Sequence, residues 1–479
     1  MKKTIFCISN LFLTAAFFAT VHSTDQSFES FYPENYSTKN ITDKECTEEI
    51  KSPKQTKKWT IMVYMAADND LRRYAIQNIE EMLKIGSTNY ANMIIHLDIR
   101  ENQKKKVTHR YFVEPNKLTK LNTQSNEQCM DSGAPETFIG FCKQAIQLFP
   151  AEKYAVIFWN HGTGPLDPYR SKILNPNNFF KYNPNNDVLE IDRSLAFFDS
   201  IEEESTLSAI APKPEGRGIC FDDSTRNYIT NAKLDTCLEQ VRKEALNNAK
   251  FDIVGFDACL MSGIEIANIV KKHSKIMIAS QEIELAAGWK YDKILQALQQ
   301  ANVSAESLSK TIVDIYRHAY NPITKDLTLS ALNMDAIQHI ENNINIVSQL
   351  LNSALDLQNE QSVITQLKDC RNKHKCTQFE EPSYVDLGHL YKNLAAATNS
   401  MKLVDAEKEK QFHKDFKLAI SEGLKLIDQS IIDIYTGGNI KEAKGISIYF
   451  PEKRIHNSYP YTPFAKTNNW INLLPKYFK

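Results

Sequence analysis

The chain predicts an α/β fold, a mostly parallel sheet covered by helices on both faces. Short apolar runs of strand length alternate with stretches of helical spacing, the pattern of strands joined by crossover helices. Two of these runs, Ala155-Val156-Ile157-Phe158-Trp159 and Phe251-Asp252-Ile253-Val254-Gly255-Phe256, are almost wholly apolar, as strands buried on both faces should be. Each leads into residues that carry chemistry: Asn160-His161-Gly162 after the first, Asp257-Ala258-Cys259 after the second. Open α/β sheets collect catalytic groups at the carboxyl ends of their strands.

Taken in order, residues 1–23 read as a secretory signal peptide. Lys2-Lys3 form a basic start, Thr4 to Thr20 is mostly apolar, and Val21-His22-Ser23 permits cleavage after Ser23. The apolar part is short for a membrane span and no second long one follows. The expected location is therefore periplasmic or extracellular, with no membrane attachment after signal removal. Residues 24–57 are polar and aperiodic and read as a linker or short pro-segment.

Residues 58–300 form the expected catalytic domain. Its strands run from Trp59 to Ala67, Met93 to Asp98, Arg110 to Val113, up to Trp159, Phe251 to Phe256 and Lys275 to Ser280; Gly218 to Asp223 is a short strand or turn. Helical spacing covers Leu71 to Leu83, Glu136 to Leu148, Asn231 to Ala245 and Ser262 to Lys272. A long connection, 165–216, interrupts the alternation with Asn-Pro repeats and the cluster Glu202-Glu203-Glu204. Connections of that length are functional or disordered. Residues 301–479 read as a mainly helical C-terminal region with one late strand, Gly445 to Pro451.

Charge excludes some functions. With 57 basic and 58 acidic residues the net charge is -1, which offers no basic field to nucleic acid. Lys104-Lys105-Lys106 reads as a solvated loop. Of nine cysteines, Cys7 leaves with the signal, and export puts the rest in an oxidising compartment. Cys370 and Cys376 enclose five polar residues and are the best local disulfide candidates. With His374 they supply too few ligands for a closed zinc site.

Cys259 is the candidate nucleophile. It stands past an apolar strand and ahead of a helix, whose N-terminus favours thiolate. A buried structural thiol is the plain alternative, and Cys220, ahead of an acidic turn, is the rival. His161 is the candidate base, because Gly162 after it allows close backbone approach to a substrate. The N–H groups of Gly162 and Cys259 would then hold an oxyanion. His339, His389 and His413 lie in helical segments and read as surface or packing residues. Asp257 would raise a neighbouring thiol's pKa, so it suits a substrate cation better, or a structural cap.

These residues resemble the clostripain family of cysteine peptidases, in the clan of caspases, gingipains and legumains. The marks are Trp59 to Leu71 (WTIMVYMAADNDL), Phe158-Trp159-Asn160-His161-Gly162 and Asp257-Ala258-Cys259-Leu260-Met261. Gly288-Trp289-Lys290-Tyr291, Tyr384-Val385-Asp386-Leu387 and Gly445 to Pro451 add to them. The resemblance implies a caspase-like sheet, a His161–Cys259 dyad needing no cofactor, and a peptide or protein substrate. It implies Asp257 in a pocket for a basic P1 side chain, self-processing between the two catalytic residues, and calcium as a possible ligand, the metal site itself being unknown. Processing would fall at Arg170, Lys172, Lys181 or Arg193 in the long connection. One departure stands out: Leu285-Ala286-Ala287 replaces the Pro-Gly turn with acidic neighbours before Gly288-Trp289. The second pocket acid is then missing unless Glu282 or Glu284 supplies it.

Overall fold

The computed structural model describes residues 39–102, 105–121, 129–166, 180–192, 218–357 and 360–478. Its strands in chain order begin with β1 (Glu45–Ile50), β2 (Lys57–Ala67), β3 (Ala91–Asn102), β4 (Lys105–Glu114), β5 (Lys117–Leu121) and β6 (Ala151–Trp159). Next come β7 (Phe180–Asn183), β8 (Val188–Ile191), β9 (Gly218–Asp222), β10 (Asn227–Thr230), β11 (Phe251–Asp257) and β12 (Ser274–Ala279). The last are β13 (Thr328–Asn333), β14 (Tyr384–Asp386), β15 (Ile431–Thr436) and β16 (Ser447–Tyr449).

Ten of them form one sheet in the order β1-β5-β4-β3-β2-β6-β11-β12-β13-β15. The five central strands, β3 to β12 in that order, are parallel. β2 is buried from Trp59 to Ala67, and every residue of β11 is buried. That burial on both faces is why these strands read as continuous apolar runs rather than as alternation. The crossover helices are amphipathic; Arg72–Ile85 turns Tyr74, Ala75, Ile76, Ile79 and Met82 inward.

Register sets up the site. Met65 pairs with Trp159 and Trp159 with Asp257, so the ends of β2, β6 and β11 are level. His161 and Cys259 each stand two residues beyond their strand.

Four sequence expectations change. Residues 24–57 are not all linker: Lys39–Thr42 is a helical turn, and β1 pairs with β5 at the sheet edge. Six residues without hydrophobic period carry little strand signal, and the pairing to β5 is long-range. Lys106 is not solvated; it sits buried among Asp98, Asp222 and Asp68. Charge satisfied by charge keeps a lysine inside. The 165–216 connection contains a hairpin, β7–β8, docked through Leu189 N–H to Ile323 O and Ile191 N–H to Asp326. The C-terminal region contributes β13 and β15 to the main sheet, β13 antiparallel to β12 and β15 antiparallel to β13. β15 follows the helix Ala406–Ser430 without a break, so no turn residue marks its start.

Candidate active site

The loops that carry His161 and Cys259 lie side by side at the carboxyl end of the sheet, because β6 and β11 are neighbours. The contact is close: a Cβ added at Gly162 would lie 2.4 Å from the Cys259 carbonyl oxygen. Only glycine fits there. Both side chains are buried, His161 at 2% and Cys259 at 7% exposure.

His161 Nε2 lies 2.7 Å from Asp70 Oδ1. A carboxylate only accepts, so Nε2 carries the proton. Asp70 comes from the turn after β2, the strand on the other side of β6. That turn is pinned: Asn69 Nδ2 donates to the carbonyls of Ala66 and Phe221, and Asp68 takes Arg100 Nε at 2.8 Å. The histidine loop is pinned as well. Asn160 Oδ1 accepts the Phe221 N–H at 2.8 Å, Asn160 Nδ2 donates to Ala66 O, and Gly162 bridges Ile219.

Cys259 Sγ accepts the backbone N–H of Glu284 at 3.3 Å. Burial pushes the thiol well up; the Glu284 and Glu282 carboxylates push the same way, against that N–H. An environment of this kind favours the thiol over the thiolate. Burial likewise raises the Cys220 thiol well above the usual range. Cys220 sits on β9 with φ of 63° and is fully buried, so the rival nucleophile has no access.

Asp257 and Glu284 are buried neighbours, and the Glu284 backbone reaches the sulfur. Asp257 accepts the Trp289 N–H at 3.0 Å and the Tyr291 hydroxyl at 2.8 Å. Gly288, with φ of 59°, has no side chain to strike that carboxylate; a Cβ would lie 2.8 Å from it. Burial raises Asp257 above the carboxylate range, against those two donors. Glu284 is 3% exposed, and neither of its oxygens has a bonded partner. Burial lifts its carboxyl far up and Asp257 adds to it. The Trp289 indole N–H draws it back from nearby, yet is itself without a bonded acceptor. Glu282 differs: its Oε1 accepts the amides of Ile283 and Glu380, so this carboxylate is tied to the chain.

Of the processing residues, Lys181 lies on β7 and pairs with Asp192. Arg170, Lys172 and Arg193 lie outside the described residues, as does residues 1–23. Cys370 and Cys376 are both buried and free. Among the described residues, no group of three or more His, Cys, Asp or Glu could hold a metal ion. The densest acidic cluster, Asp68, Asp98 and Asp222, already surrounds the Lys106 ammonium.

Sequence reasoning missed Asp70, Asn160, Trp289 and Tyr291 as parts of the site. For Asp70 a signal existed, since it ends a third apolar strand; which strands were neighbours was not legible.

The Clostripain family profile matches residues 63–193 and 208–475. Clostripain of Hathewaya histolytica is 22% identical over 481 aligned positions, covering 87% of this chain and 80% of its own. Among solved structures, a secreted C11 cysteine protease of Bacteroides thetaiotaomicron, bound to an irreversible peptide inhibitor, superposes with a TM-score of 0.54 at 15% identity, over 87% of this chain and 99% of that one. An inactive zymogen C11 protease of Parabacteroides distasonis gives 0.54 at 17%, over 88% and 99%. The chain belongs to the clostripain family, the C11 cysteine peptidases, and is a cysteine-type endopeptidase.

Proposed function

We propose that this peptidase is exported and cuts after Lys or Arg, with Cys259 as nucleophile and His161 as base. The observation that carries the specificity is Glu284, a buried acid with both oxygens unbonded, near Asp257 and on the residue whose backbone N–H bonds the sulfur. A buried acid without a partner is costly. A P1 ammonium or guanidinium inserted between Glu284 and Asp257 removes that cost and is held by both. Losing either acid leaves the substrate cation half-paired, at roughly 3–5 kcal/mol.

The chemistry follows from the two strand ends. His161 takes the thiol proton as Cys259 Sγ bonds to the scissile carbonyl carbon. The carbonyl oxygen, now anionic, lies towards the N–H groups of Gly162 and Cys259. Collapse expels the amine, which receives its proton from His161, and water hydrolyses the thioester. No cofactor enters these steps, and the partner is a peptide or protein.

Export rests on the basic and apolar start of the chain and the secreted Bacteroides relative. No described helix is long and apolar enough to cross a membrane. Self-processing would fall in the connection between His161 and Cys259, beside the docked β7–β8 hairpin. Cleavage of a P1-randomised peptide library by wild type, Cys259→Ala and His161→Ala tests the reading. Lys and Arg should dominate, with no turnover in either variant. An uncharged P1 preference defeats the specificity, and an active Cys259→Ala defeats the nucleophile.

A further inference from the structure

Three adjacent strands of the sheet, β2, β6 and β11, end level with one another. They deliver Asp70, His161 and Cys259 in that spatial order: carboxylate, imidazole, thiol. The carboxylate is bonded to the ring, Asp70 Oδ1 to His161 Nε2 at 2.7 Å. The turn that carries it is held at Asn69 by a hydrogen bond to β9, and at Asp68 by the Ser224 N–H just after β9 and by Arg100. A one-third exposed aspartate on a free loop would wander; this one is fixed.

We propose that Asp70 is the positioning residue of a Cys259–His161–Asp70 array. Its carboxylate locks the His161 ring as the Nε2–H tautomer. Nδ1 is then the basic nitrogen that takes the Cys259 proton. When the Sγ–carbon bond forms, that proton moves from sulfur to Nδ1. The imidazolium is stabilised across the ring by Asp70 until the leaving amine takes the proton away. Asp70 acts through the ring and not on the substrate. The proposal rests on the reading of Cys259 and His161 as nucleophile and base.

The charged groups around the ring come from three elements. Asp70 follows β2 and bonds to it. Asp223 follows β9 and feels its charge, with Asp68 and Arg100 behind. Cys259 follows β11. Asp223 adds a negative field but no hydrogen bond that fixes a tautomer.

The experiment compares wild type, Asp70→Asn, Asp70→Ala, Asp70→Glu and Cys259→Ala as full-chain enzymes. The substrate is a peptide with P1 Lys, and each variant is followed across pH. A parallel arm follows iodoacetamide alkylation of Cys259 across the same range. Asp70→Asn and Asp70→Ala should lower kcat roughly 10- to 100-fold, within what a positioned base contributes, and leave KM nearly unchanged. With the carboxylate beside the ring gone, the acid limb of kcat/KM should move to lower pH. The alkylation profile should shift the same way, and Asp70→Glu should recover part of kcat. A merely structural Asp70 would lower the melting temperature without moving either pH limb. Wild-type kcat and an unmoved acid limb in a folded Asp70→Asn overturn the array while the dyad stands. An active Cys259→Ala sinks both readings together.

Discussion

Glu284 serves two neighbours at once. Its amide N–H donates to the sulfur of Cys259, while its buried carboxyl has no bonded partner and lies near Asp257. A bare buried acid works against folding. Its folded pKa is raised above the ordinary 4.5, so its favourable contribution is complete below that value and is lost as pH climbs through the raised one. Glu284→Gln removes the titration. The variant should therefore melt higher than wild type, with a gap that widens from acidic to neutral pH, while losing activity on P1 Lys and Arg. Equal melting temperatures at pH 5 and pH 8 would contradict this. His161, Gly162, Asp257 and Cys259 were legible because each stands just past an apolar run. Glu284 was legible only as one of two acids. What separates it from Glu282 is a backbone contact, Glu380 N–H to Glu282 Oε1, made across nearly a hundred residues.

At the scale of the element, β9 is the part that makes the histidine loop rigid. It lies over the ends of β2 and β6, with Phe221 bonded to Asn160 and Asn69, and Ile219 bridging Gly162. Asn160→Ala leaves the buried Phe221 N–H unpaired, a loss of about 1–3 kcal/mol. It should lower both the melting temperature and kcat, leaving P1 preference intact; an unchanged kcat would separate β9 from the site. The strand was readable in Gly218 to Asp223 as a short apolar run. Its position was not, because its partners at Asn69, Asn160 and Gly162 are all long-range. The same reason hid β1, β13 and β15: an edge or antiparallel wing strand shows half a pattern, and only the pairing completes it.

Over the whole molecule, the parallel centre was legible because burial on both faces writes itself into composition. The antiparallel wings and the buried Lys106 cluster were not, since they depend on which strands meet. The central strands also span the long connection. β2 and β6 precede it, β11 and β12 follow it, and β6 and β11 pair side by side. A cut in the connection should therefore leave two fragments that copurify under native conditions and part only in denaturant. Separation on a native sizing column would refute that. The pairing of β6 with β11 then has a kinetic meaning. The one-chain form can refold by itself. The cut form cannot: one fragment brings His161 with β1 to β6, the other Cys259 with β11, β12, β13 and β15, so recovery from denaturant should be second order in protein. A processed enzyme of this design would persist because it unfolds slowly, and dilution after unfolding would be an irreversible off-switch.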